Sequence, residues 1–120
     1  MVTYKLGEIE MRFADIIWNN APLSSGELVK LAEKELHWNR STTYTILRRL
    51  CQRGLFQNDK GTVAFLVSKA DFIAAQSEKF VEETFSGSLP EFLASFARRK
   101  KLSDKEIEEI QRFIDEHKEA

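Results

Sequence analysis

Apolar positions recur first at helical spacing. Between Glu8 and Asn20, Ile9, Phe13, Ile16 and Ile17 fall on one face, and Pro22 ends the run. Ser24 and Glu27 then form an S-x-x-E capping box, the arrangement in which each side chain satisfies an otherwise unpaired amide at a helix start. Leu28, Leu31 and Ala32 face inward from the helix that follows. Asn39 is placed to cap a third helix, whose Thr43, Ile46, Leu47 and Leu50 share a face and whose C′ position suits Gly54. After Gly54 the period changes. Two β-rich runs flank Asn58-Asp59-Lys60-Gly61 and predict a hairpin of residues 55–57 with 62–67.

The remainder returns to helical spacing. Ser68 with Asp71, Ser88 with Glu91, and Ser103 with Glu106 each mark a helix start, predicting helices over 69–85, 89–99 and 104–118. Leu89, Phe92, Leu93, Phe96 and Ala97 follow an i, i+3, i+4, i+7, i+8 stripe, and Ile107, Ile110 and Ile114 make another, flanked by Phe113. Three helices followed by a hairpin is the order of a winged helix-turn-helix. The expected fold is therefore mainly α with a small β-hairpin: a winged helix over residues 1–68 and a three-helix dimerisation region over 69–120.

Dimerisation follows from the apolar surface of those last helices. Phe72, Phe80, Phe85, Leu89, Phe92, Leu93, Phe96, Ile107, Ile110 and Ile114 lie on their stripes, and a winged-helix core is complete without them. Three short helices form too thin a layer to cover such stripes, so a second copy of the chain is the expected cover. Packing back onto the winged domain of the same chain is the competing arrangement.

Charge adds a second asymmetry. The chain carries a net −1, yet residues 36–58 contain no Asp or Glu and four arginines, Arg40, Arg48, Arg49 and Arg53. Arginine neutralises phosphate, and neighbouring carboxylates would oppose it. If Thr43, Ile46, Leu47 and Leu50 face the core, then Ser41, Thr45 and Arg48 point the opposite way, with Thr42, Tyr44 and Arg49 flanking them. Short hydroxyls permit close approach to base edges, and Arg can grip guanine or phosphate. Lys60 at the hairpin tip can reach a flanking phosphate. A solvated helix would interleave both signs of charge, which this one does not. The expected partner is double-stranded DNA. The alternative is a winged-helix protein-interaction adaptor without DNA binding, and such a module needs no acid-free arginine face.

Other chemistry is sparse. One Cys and two His, widely spaced, give neither a disulfide framework nor zinc spacing, and no Gly-rich phosphate loop is present. No nucleophile stands at a spacing that suggests a base beside it, so neither enzyme activity nor a cofactor is expected. Cys51 reads as a packing residue, His37 as a packing or capping residue, and the run Arg98-Arg99-Lys100-Lys101 as cations suited to a helix C-terminus. There is no apolar run of the roughly 18 residues that suggest a transmembrane helix and no signal pattern, so a cytoplasmic protein without membrane insertion is expected.

The sequence resembles the penicillinase repressor family. Trp38, Thr42, Thr45, Leu47, Arg49, Leu50 and Gly54 match its tryptophan-led recognition helix, and Glu10 and Trp18 match its first helix. `FSGSLPEFLASF` and `LSDKEIEEI` match its C-terminal segments, so the resemblance covers about residues 6–116. It implies a homodimer that binds an inverted-repeat operator and blocks transcription until an inducing signal relieves it. Arg40 and Ser41 stand where many members have Pro and Lys, and Arg48 where many have Asn, which implies a different operator sequence. Copper-responsive members carry a C-terminal Cys-x-Cys pair that this chain lacks. Beta-lactam-responsive members are inactivated by proteolysis at an Asn-Phe junction, which implies a membrane sensor-protease as a partner. The matching junction here is Ser95-Phe96, with Ser in place of Asn.

Overall fold

The computed structural model describes residues 6–118. Six helices and three short strands follow in the order α1 (Glu8–Asn20), β1 (Leu23–Ser24), α2 (Ser25–Leu36), α3 (Arg40–Gln52), β2 (Phe56–Asp59), β3 (Thr62–Phe65), α4 (Lys69–Phe85), α5 (Leu89–Arg99) and α6 (Asp104–Lys118). The fold is mostly helical with a small antiparallel sheet, as expected. The chain divides into two compact units, one ending at Ser77 and one beginning at Glu78.

Local chemistry sets the helix ends. The Ser24 hydroxyl accepts the Glu27 amide at 3.0 Å, and the Asn39 side chain accepts the Thr42 amide at 2.8 Å. These bonds satisfy donors that the first turn of a helix cannot pair internally. At the far end of α3 the chain turns at Gly54, where φ is 83°. The Gly54 amide bonds the Cys51 carbonyl and the Leu55 amide bonds the Leu50 carbonyl, a Schellman closure that needs a left-handed residue. His37 ends α2 in the left-handed region, with its amide on the carbonyls of Ala32 and Glu33.

Beyond Gly54 the hairpin is tighter than expected. Strands β2 and β3 pair from Phe56↔Phe65 to Asp59↔Thr62, leaving a two-residue turn at Lys60-Gly61. Both turn residues have positive φ, 52° and 89°, the sign that matches the twist of a tight hairpin. The Asn58 side chain accepts the Gly61 amide at 3.0 Å and braces the turn. Leu55 precedes the ladder as a fully buried core residue. A third strand, β1, pairs with β3 through Leu23↔Val63 and Ser24↔Thr62, giving the order β1-β3-β2.

The core of the first unit is closed. Phe13, Ile17, Leu28, Leu47, Leu50, Leu55, Phe56 and Val63 are all buried, and Trp18 packs against both Phe56 and Phe72 with ring centroids 5.4 Å apart in each case. Ile9, on the apolar stripe of α1, stays 46% exposed. Phe72 requires a correction. Its stripe assigns it to a dimerisation surface, but it is fully buried in the winged-helix core. The start of α4 is fastened to α1 by the Trp18 indole N–H on the Val67 carbonyl at 2.9 Å and by the Lys69–Asp15 ion pair at 2.8 Å. Those contacts direct Phe72 inward.

The second unit is built differently. Ser88 accepts the Glu91 amide, and Ser103 and Glu106 form a reciprocal capping box, so its helix starts are fixed as firmly as those of the first unit. Phe80, Phe85 and Phe92 make edge-on ring contacts at 5.7–6.1 Å, and Phe96 meets Phe92 in a tilted contact at 6.3 Å. Yet neither α5 nor α6 contains a buried residue.

Candidate nucleic-acid interface

The candidate surface is the outward face of α3. Thr43, Leu47 and Leu50 anchor the helix in the core, and the Thr43 hydroxyl is satisfied by the Asn39 carbonyl at 3.0 Å. With that face fixed, helical geometry turns Ser41, Thr45 and Arg48 to solvent, and all three are exposed, as are Arg40 and Arg49. Among the described residues none of Arg40, Arg48, Arg49 or Lys60 forms an ion pair with a carboxylate. Among the described residues, no carboxylate therefore neutralises their charges. Lys60 stands exposed at the hairpin tip.

Four of the residues expected on this surface have additional or different duties. Thr42 is half-buried, its amide held by Asn39. Tyr44 is half-buried too, and its hydroxyl donates to the Ser25 hydroxyl at 3.1 Å. The Arg40 guanidinium lies over the Tyr44 ring, 5.4 Å from its centroid, within cation–π range. Arg53 does not join the open face. It caps the end of α3, and its guanidinium pairs with Glu10 of α1 at 3.4 Å, a tie between the first and third helices. That pairing already engages the charge that the sequence assigns to a phosphate contact.

A groove of about 250 Å³ runs beside α3, lined by Tyr44, Leu47, Arg48, Cys51 and Asn58. Burial pushes the Cys51 thiol up from its ordinary value, which disfavours the thiolate. The packing duty expected of Cys51 fits that environment.

Sequence reasoning missed Ser25. Its neighbour Ser24 carries the capping signal, and nothing in the pattern separates Ser25 from an ordinary first-turn serine. Its backbone amide bonds the Gly61 carbonyl at 2.8 Å, so it links α2 to the hairpin turn as well as to Tyr44.

A family model described as penicillinase repressor matches residues 6–116. The chain belongs to the penicillinase repressor family. It is 25% identical over 118 residues to the penicillinase repressor of Bacillus licheniformis, covering 95% of this chain and 92% of that one. It is likewise 25% identical over 116 residues to the methicillin resistance regulatory protein MecI of Staphylococcus aureus strain Mu50, covering 93% and 94% of the two chains. The penicillinase repressor of Staphylococcus aureus is 26% identical over 106 residues, covering 85% and 84%. The family match spans both units, so this member of the penicillinase repressor family shares more with its relatives than the winged helix. Among its described residues no helix is long and apolar enough to cross a membrane.

Proposed function

We propose that this protein is a sequence-specific transcriptional repressor that binds double-stranded operator DNA in the cytoplasm. The observation that carries the reading is the acid-free outward face of α3, where Arg40, Arg48 and Arg49 are exposed beside Ser41 and Thr45, with no carboxylate partner among the described residues. Ser41, Thr45 and Arg48 face base edges, while Arg40, Arg49 and Lys60 meet phosphates.

The repressor acts as a homodimer on an inverted repeat. Phe80, Leu89, Phe96, Ile107, Phe113 and Ile114 of the second unit are between 42% and 57% exposed, which supports a second copy as their cover. A two-fold dimer presents two recognition helices to half-sites about one or two helical turns apart. The relatives are named for penicillinase and methicillin resistance, so β-lactam exposure is the first inducing signal to apply. Ser95 is exposed within α5, and Ser95-Phe96 is the junction where a membrane sensor-protease would cut. Mass spectrometry of the chain from induced cells reads that step directly. A chain that remains intact while repression is relieved assigns induction to another route.

Binding is tested by selecting an operator from genomic fragments in a gel shift, then titrating it across salt concentrations. The affinity should fall steeply with salt. Alanine at Arg49 or Lys60 should flatten the log–log slope by about one unit per lost phosphate contact per subunit. A slope near zero would remove DNA as the partner and leave a protein-interaction adaptor.

A further inference from the structure

Ser25 sits where three parts of the winged helix meet. It is the first residue of α2, its backbone N–H donates to the Gly61 carbonyl at 2.8 Å, and its Oγ accepts the Tyr44 hydroxyl at 3.1 Å. One residue thus holds the hairpin turn with its backbone and the recognition helix with its side chain. Tyr44 extends the chain of contacts, because its ring lies under the Arg40 guanidinium at 5.4 Å. Beside this junction, Asn58 braces the same turn by accepting the Gly61 amide.

We propose that Ser25 and Tyr44 are positioning residues, which set the spacing between α3 and the Lys60-Gly61 turn and the direction of Arg40, and that Tyr44 reads no base. The proposal rests on the DNA-binding reading and deepens it. A phenol has one proton to donate, and here it is given to Ser25. An arginine side chain has many rotamers, and a ring beneath its guanidinium restricts them before any ligand arrives, which lowers the ordering cost on binding. Lys60 belongs to the turn whose Gly61 carbonyl Ser25 holds, so a phosphate contact there and a base contact from α3 share one frame. Recognition tolerates only a fraction of an ångström of misplacement, so a polar link at this junction affects binding without being part of the interface.

The link can be cut selectively. Thr43, Leu47 and Leu50 hold α3 in the core independently of Tyr44. Ser25→Ala keeps the backbone bond to Gly61 and removes only the bond to Tyr44. Tyr44→Phe keeps the ring under Arg40 and removes only the hydroxyl. The full-length chain and these variants are titrated by fluorescence anisotropy against an operator selected by the wild type and against a scrambled duplex. Each single variant is expected to bind the operator about five- to tenfold more weakly, with scrambled binding unchanged. The double variant should be no weaker than the weaker single, because both remove the same bond. Ser25→Thr retains a hydroxyl and should restore affinity to within about twofold of wild type.

Four results overturn the proposal. Singles that bind like wild type show that the link is idle. A double variant whose loss is the product of the single losses shows two independent DNA contacts. A loss in Tyr44→Phe alone makes Tyr44 a direct contact. A Ser25→Thr variant as weak as Ser25→Ala shows general damage rather than a hydroxyl requirement. A wild type that prefers no duplex overturns the DNA-binding reading itself, whereas a selective wild type with unaffected variants overturns only the positioning role.

Discussion

The two units carry similar apolar stripes and dispose of them differently. In the unit ending at Ser77, α1, α2, α3, the sheet and the start of α4 close around Phe13, Leu47, Phe56 and Phe72 until each is essentially inaccessible. In the unit beginning at Glu78, α5 and α6 are strongly amphipathic, yet Phe96, Ile107 and Phe113 are 44–57% exposed. Amphipathic spacing states that a helix has a face to cover. It does not state whether the cover comes from the same chain. The number of elements available decides that: six elements and part of a seventh can enclose a volume, and two helices with the end of a third cannot.

The sharpest break in the comparison is at Phe72, which sits on the last element shared by both patterns. Fragment 1–77 is expected to fold and to remain monomeric. Phe72→Ala within it should cost about 3–5 kcal/mol in urea unfolding, the usual loss for a buried Phe reduced to Ala. A loss below about 1 kcal/mol, within the range of ordinary surface substitutions, would mean that the winged helix does not depend on α4 for closure.

Next in size is the second unit. Replacing Phe92 and Phe96 together with Asp puts charge into the aromatic cluster. Sedimentation should then report a monomer, and operator affinity should drop on the order of 100-fold as the second half-site is lost. A double variant that still sediments as a dimer would place the association surface elsewhere.

Smaller, and confined to the first unit, is the loss at the reading face. Thr45→Ala and Arg48→Ala should each weaken operator binding by about 1–3 kcal/mol while leaving thermal stability and dimerisation unchanged, since both side chains are exposed. Equal binding by both variants would move recognition off α3.

The smallest effect concerns pH at the start of α6. Hydrogen bonds from Ser103, first from its backbone amide and then from its side chain, hold the Glu106 carboxyl below its ordinary value. A folded-state value below the unfolded one stabilises the helix above the ordinary carboxylate range, and the stabilisation is lost as pH falls through the lowered value. Wild type should therefore melt slightly above Glu106→Gln at neutral pH, with the difference closing on acidification. A difference that persists at low pH would assign the effect to packing rather than to the charged cap.

Much of this was legible from local signals. The three later helices begin where Ser68, Ser88 and Ser103 predict, because a serine hydroxyl on the amide three residues on is a contact within one turn. The α3 face was legible because Thr43, Leu47 and Leu50 fix which side turns outward. Long-range facts were not legible. Strand β1 has only two residues and exists through its pairing with β3, about forty positions away. Arg53 reads as a free cation until Glu10, far earlier in the chain, is brought beside it. Phe72 and Phe80 have the same residue type and helix, and only tertiary packing buries one and leaves the other half exposed.

The attachment of α4 to α1 also defines where this chain can be recombined with its relatives. Trp18 on the Val67 carbonyl, Asp15 on Lys69, and the Trp18 ring on Phe72 travel as one set. A chimera joined at the apparent linker around Ser68 would give the α1 of one parent the Lys69 and Phe72 positions of another, and mismatch would fall inside a closed core. A junction at Ser77, midway along α4, keeps the set within one parent and exchanges only what lies beyond it. The practical unit of modular exchange is therefore longer than the winged helix that its strands and first three helices outline.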